Sequence, residues 1–175
     1  MDKSQQILET ILAQGLVPLF YHDDEALCIG ITTALYAGGI RVLEFTNRGP
    51  QALANFSKLR KVIDTNLPGM QLGIGTIKNE KDASAFIEAG ADFIVCPIVH
   101  TGIASVTQKA GLLWVPGCLT ATEIALAESA GAKLVQYCHL VMGNVWAANT
   151  MLNVPIDHTL HERKDKKAYL EQSHK

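Results

Sequence analysis

Ala89-Gly90-Ala91-Asp92-Phe93-Ile94-Val95-Cys96-Pro97 joins an Ala-Gly pair to an apolar run that a proline closes. Glycine just past a helix end takes the left-handed conformation at little cost, and a β-branched or aromatic run after it reads as a buried strand. The same step recurs at Ala37-Gly38, Ala110-Gly111 and Ala130-Gly131, followed by apolar runs over residues 40–45, 112–115 and 134–135. Ala89 and Ala110 stand 21 residues apart and Ala110 and Ala130 stand 20 apart, the length of one helix and one strand. The 52 residues from Ala37 to Ala89 accommodate two longer units. A chain built this way predicts a parallel α/β sheet, an architecture that places its chemistry at the C-terminal ends of the strands.

Working outward, Ile7, Leu8, Ile11 and Leu12 form a helical stripe that Gly15 terminates, before a first strand over 16–21. Pro18 inside that strand marks a position where one amide is not needed. Asp23 is placed to cap a helix whose Leu27, Ile31 and Leu35 share a face, and strand two covers 41–48. Leu53, Phe56, Leu59 and Ile63 mark the next helix, which Leu67-Pro68-Gly69 ends. Strand three over 70–75, a helix over 79–89 and strand four over 93–97 follow, then a less periodic helix up to Ala110. Strand five covers 113–116, Thr120-Ala121-Thr122-Glu123 is a capping box opening a helix to Ala130, and strand six covers 133–137.

Six βα units are readable, whereas a closed (β/α)8 TIM-type barrel has eight. Past Tyr137 the pattern fails. Residues 157–175 hold nine charged residues among nineteen, a composition for a solvated helix or a disordered tail. The predicted organisation is a βα-barrel portion with an N-terminal helix over 1–137 and a divergent C-terminal segment over 138–175.

With 175 residues and 48% hydrophobic content the chain can bury one substantial core. A formal net charge of −2 gives no electrostatic footprint for nucleic acid or an anionic membrane surface, so small molecules or copies of the chain are the expected partners. The first six residues lack a signal-peptide pattern and no apolar run reaches membrane-spanning length, which predicts a soluble cytoplasmic protein. Cys28, Cys96, Cys118 and Cys138 form no C-x-x-C pair and read as buried reduced thiols. The six histidines show no metal-binding spacing; His158 and His161 could meet a metal on a helix, but a polar tail accounts for them, and no metal or cofactor is expected.

Alternation on strand two puts Val42, Glu44, Thr46 and Arg48 on one face and Leu43 and Phe45 on the other. With Leu43 and Phe45 toward the helices, Glu44 points into the barrel. A carboxylate there is costly unless hydrogen-bonded or used, which makes Glu44 the candidate general acid/base; the alternative is a structural ion pair with Arg48. Arg48, at the strand's C-terminal end, offers a planar fork of donors to a carboxylate or phosphate. Gly73-Ile74-Gly75-Thr76 allows close backbone approach, with a hydroxyl and amides for an anion. On strand six Gln136 alternates with Leu134 and Cys138, whereas Lys133 starts the strand at the far end and reads as solvated or ion-paired.

These residues bring out a resemblance to the 2-keto-3-deoxy-6-phosphogluconate / 4-hydroxy-2-oxoglutarate (KDPG/KHG) aldolases. It runs from about Ile7 through Val135 and rests on Gly39-Ile-Arg-Val-Leu-Glu44-Phe-Thr46-Asn-Arg48, Leu72-Gly-Ile-Gly-Thr76, Ala89-Gly-Ala-Asp-Phe-Ile-Val-Cys-Pro97 and Pro116-Gly-Cys-Leu-Thr120 followed by Glu123. The resemblance implies a (β/α)8 barrel, a homotrimer, no metal, and cleavage of a 2-keto-4-hydroxy acid to pyruvate and an aldehyde through a lysine Schiff base. It implies that Glu44 shuttles protons, that Arg48 and Thr76 bind the substrate carboxylate, and that Pro97 belongs to the pocket wall. The sequence departs from the family where the Schiff-base lysine stands in strand six. That place holds Gln136, followed by Tyr137, Cys138 and His139, and nothing after Gly143 resembles the family's glycine-rich phosphate-binding turns.

Overall fold

Helices and strands alternate along residues 2–137, the part of the chain that the computed structural model describes. The order is α1 (Lys3–Gln14), β1 (Leu19–Phe20), α2 (Glu25–Ala37), β2 (Val42–Thr46), α3 (Ala52–Asn66), β3 (Gln71–Gly75), α4 (Glu80–Glu88), β4 (Phe93–Cys96), α5 (Thr101–Lys109), β5 (Leu113–Cys118), α6 (Ala121–Ser129) and β6 (Gln136–Tyr137). The six strands are parallel and neighbour one another in chain order, curled into a half-barrel of TIM type.

Period-two alternation divides the apolar residues into two clusters. Leu43, Phe45, Leu72, Ile74, Ile94 and Trp114 pack outward against Phe56, Leu59, Ile63, Phe86 and Ile103 of the helices. Val42, Phe93, Val95, Leu113, Val115 and Leu134 face inward, where Ile7 and Ile11 of α1 join them. The N-terminal helix thus closes the interior from the end where the strands begin. Gln14 fastens it there: its Oε1 accepts from the amides of Arg41 (2.6 Å) and Val42 (3.1 Å), and its Nε2 donates to the carbonyls of Leu16 (2.6 Å) and Val42 (3.1 Å).

Three of the four Ala-Gly steps turn as expected, with Gly90, Gly111 and Gly131 at φ of 92°, 70° and 85°. At the first step Gly38 stays at φ −75° and Gly39 takes the left-handed turn at 95°, because two successive glycines let the helix run one residue further. Asp24, not Asp23, caps α2, its Oδ1 accepting from the Leu27 amide at 2.9 Å, while the Asp23 carboxylate receives the Tyr21 hydroxyl. The buried face of α2 is Cys28 and Thr32, not Leu27 and Ile31, which are exposed; the small side chains let the helix lie close to the sheet. On α3 Leu53 is likewise exposed and Ala52 takes the buried position. The expected capping box on α6 is present in both directions between Thr120 and Glu123.

β5 runs two residues past its expected end, to Cys118, and the other strands are shorter than expected. Pro18 brings no amide to β1, although its carbonyl accepts from the Glu44 amide at 2.9 Å. β2 ends at Thr46 because the Arg48 amide turns back onto the Thr46 carbonyl at 2.9 Å. β6 begins only at Gln136, and Lys133 lies before it, 43% exposed and 3.5 Å from Asp2. Cys28, Cys96 and Cys118 are buried free thiols. Cys138 and everything expected of residues 138–175 lie outside the described residues. Among the described residues no helix is long and apolar enough to cross a membrane, and no group of histidine, cysteine and carboxylate side chains could hold a metal.

Candidate active site

Glu44 sits in the middle of β2, opposite Leu19 of β1 and Gly73 of β3. Its neighbours Leu43 and Phe45 turn outward onto the helices, so alternation sends Glu44 inward, where it is 3% exposed. Its Oε2 is buried with no hydrogen-bond partner among the described residues, an arrangement that penalises a charged carboxylate. Burial pushes its pKa up to about 8, and the charge of Arg48 pulls the other way without overcoming it. At neutral pH Glu44 is therefore a protonated acid that can donate or take up a proton. The two side chains form no ion pair within 4 Å, so the structural-pair alternative is not what places Glu44 here.

Glu44 lines a narrow cavity with Ile11, Val17, Phe93, Val95, Val115, Leu134 and Gln136. The free space is about 10 Å³, room for one water molecule. Among the described residues Glu44 and Gln136 are the two polar side chains in this apolar wall, one from β2 and one from β6. A carboxylic acid and an amide lining one cavity could both hydrogen-bond a water molecule held there.

The other candidates stand on the rim rather than in the cavity. Arg48 is exposed, two residues past β2. Thr76 follows β3 directly, half-buried, with its backbone at φ 64°. For a β-branched residue that left-handed conformation is strained by on the order of 1–3 kcal/mol, a cost more often met at binding sites than elsewhere. The Asn47 amide donates to the Gly75 carbonyl at 2.9 Å and carries the β2–β3 pairing up to this turn. Pro97 follows β4, and its carbonyl lies where a Cβ on Gly117 would stand, at 2.6 Å. Gly117 is the residue paired with Gln136, and Pro97 itself does not line the cavity.

Sequence reasoning did not identify the apolar walls, above all Ile11 and Val17, which reach Glu44 from α1 and the segment after it. The alternation Phe93-x-Val95 and Leu113-x-Val115 carried the signal for β4 and β5; nothing local tells that an N-terminal helix closes a barrel. A wider groove runs on the outer surface between α5 and α6, lined by Ser105, Gln108, Leu126 and Ser129. It lies away from the strand ends and holds no carboxyl group.

The family described as KDPG and KHG aldolase matches residues 7–154. A 2-dehydro-3-deoxy-phosphogluconate aldolase of Zymomonas mobilis is 36% identical over 118 residues, 66% of this chain and 53% of that one. The crystal structure of a 4-hydroxy-2-oxoglutarate / 2-dehydro-3-deoxyphosphogluconate aldolase from TTHB1 superposes with a TM-score of 0.65 at 32% identity, covering 76% of this chain and 62% of the other. A KDPG aldolase from Legionella pneumophila, with pyruvate captured at low pH as a covalent carbinolamine intermediate, gives 0.61 at 26% identity over 68% of this chain and 56% of its own. The chain spans about half the length of the curated relatives it matches.

Proposed function

Because the chain belongs to the KDPG and KHG aldolase family, we propose that its site is that of a class I pyruvate aldolase, built for a 2-keto acid and carrying glutamine at the position of the Schiff-base amine. The observation that carries the reading is the shared cavity: Glu44, with an unpartnered buried oxygen, and Gln136 line one apolar enclosure inside the strands. In the reaction that the family implies, 2-keto-3-deoxy-6-phosphogluconate or 4-hydroxy-2-oxoglutarate is cleaved to pyruvate and an aldehyde. A primary amine adds to the keto carbon, water leaves, and the resulting iminium accepts the electrons of the breaking carbon–carbon bond. The carbinolamine in the Legionella structure is the first adduct on that route.

Glu44, protonated at neutral pH, has the role of carrying protons to and from the keto oxygen and the departing water. The guanidinium of Arg48 and the hydroxyl of Thr76 hold the substrate carboxylate, and Pro97 contributes to the wall. A glutamine amide cannot replace the amine, because its nitrogen lone pair is delocalised into the carbonyl. Gln136 therefore hydrogen-bonds the keto acid without capturing it, and the chain binds pyruvate or 2-oxoglutarate rather than turning an aldol over. A homotrimer, as the family resemblance implies, and a cytoplasmic location, as the sequence pattern predicts, belong to the same reading.

Two measurements on the unmodified chain test it. Incubation with pyruvate and borohydride is expected to leave the mass unchanged, while titration calorimetry with pyruvate gives a saturable heat at roughly millimolar ligand, a binding free energy of about −4 kcal/mol. A borohydride-trapped adduct would restore the aldolase reaction to this chain. Absence of heat would remove the keto-acid site.

A further inference from the structure

β3 carries glycine at two buried positions, Gly73 and Gly75, spaced to face the same side of the sheet. Glycine inside a strand weakens it, and its usual justification is a backbone angle that other residues avoid. Neither residue uses that freedom: the positive-φ glycines of the described chain are Gly15, Gly39, Gly69, Gly90, Gly111 and Gly131. The left-handed turn at the end of β3 falls instead on Thr76, one residue beyond a glycine that would have adopted it cheaply. Conformation does not explain these two glycines, but space does. A Cβ on Gly73 would stand 2.5 Å or less from the Phe93 ring. A Cβ on Gly75 would stand 2.5 Å from Cδ of Glu44 and closer still to Oε1.

We propose that Gly75 is a positioning residue, whose missing side chain leaves the hollow in which the Glu44 carboxyl lies against β3. One carboxyl oxygen, Oε1, occupies the hollow, and Oε2 is left as the unpartnered buried atom. Any side chain at position 75 drives the carboxyl into another rotamer and out of its apolar enclosure. The groups facing Glu44 from α1, the segment after it, β4, β5 and the β6 region are Ile11, Val17, Phe93, Val95, Val115, Leu134 and Gln136, none of which titrates. Among the described residues Arg48 is the one charged group that acts on it, from the strand's own extension. The inference deepens the reading of Glu44 as proton carrier but does not need turnover or ligand to be tested.

The experiment is a carboxyl ¹³C NMR titration of Glu44 in the full chain, the signal being assigned by its loss in Glu44→Gln. In Gly75→Ala the midpoint is expected to fall from about 8 toward the ordinary glutamate value of about 4.3, and the heat of pyruvate binding to weaken at least about tenfold. An unchanged midpoint in a folded Gly75→Ala chain would overturn the proposal. Should that variant not fold, Glu44→Asp/Gly75→Ala decides, since an acid one methylene shorter leaves room for the new Cβ. Cooperative unfolding of the double variant supports the proposal; its failure to fold means the alanine clashes with something other than this carboxyl, and overturns it. A chain that binds no pyruvate but shows the shifted midpoint keeps the inference and loses only the keto-acid reading.

Discussion

Gln136→Lys is expected to convert a chain that borohydride leaves unmodified in the presence of pyruvate into one that gains a reduced pyruvyl adduct on most molecules, mapped by peptide mass spectrometry to position 136. The expectation follows from placement. Gln136 pairs with Gly117 of β5 and lines the same enclosure as Glu44. An amine brought there loses hydration, which lowers its pKa and raises the fraction carrying a free lone pair. The protonated carboxyl facing it is the acid that dehydration of a carbinolamine needs. The cavity holds about 10 Å³ of free space, so the longer side chain costs on the order of 1–3 kcal/mol of stability and lowers the melting temperature. A folded variant that traps nothing would show that a keto acid does not reach Glu44, and would remove the site rather than merely its nucleophile.

Glu44→Gln is expected to flatten the dependence of stability on pH. Between the ordinary carboxyl value of 4.5 and the folded value of about 8, the folded chain keeps a proton that the unfolded chain has released. The unfolded state then binds fewer protons, so stability falls as pH rises through this window, by about 1.4 kcal/mol per unit, and levels off above it. The stability contributed by the retained proton is complete below pH 4.5 and lost by the time pH passes about 8. Glutamine keeps the shape and cannot ionise, so the variant is the more stable chain at pH 8.5, by an amount on the order of several kcal/mol. Urea unfolding at pH 5 and pH 8.5 reads the difference. A wild-type slope that survives unchanged in the variant would place the titration elsewhere.

The repeated helix-to-strand step was legible because it is local: a left-handed glycine followed by a β-branched run needs no partner to be read, and Gly90, Gly111 and Gly131 turn as written. Alternation on β2 likewise told which way Glu44 faces, since Leu43 and Phe45 could only be satisfied by helices. What failed depends on long-range contact. One exception is local: the cap of α2 is Asp24 rather than Asp23, whose carboxylate receives the hydroxyl of Tyr21 two residues before it. The face that Leu27 and Ile31 share is exposed, because an apolar stripe does not say which side of a helix the sheet lies on. Rim and cavity could not be told apart either: Arg48, Thr76 and Pro97 stand at or past the C-terminal ends of their strands and Glu44 in the middle of β2, and of the candidate residues Gln136 shares its enclosure. The apolar wall that keeps the carboxyl protonated is completed by Ile11 of α1, and no spacing in the sequence links Ile11 to residue 44.

The most direct measurement is the carboxyl ¹³C titration of Glu44 in the unmodified chain, because every chemical role assigned to this interior depends on a buried acid that is neutral at pH 7. A midpoint at about 8 is the predicted result. A midpoint near the free-glutamate value of about 4.3 would mean that water or a cation reaches the carboxyl, and would contradict the account.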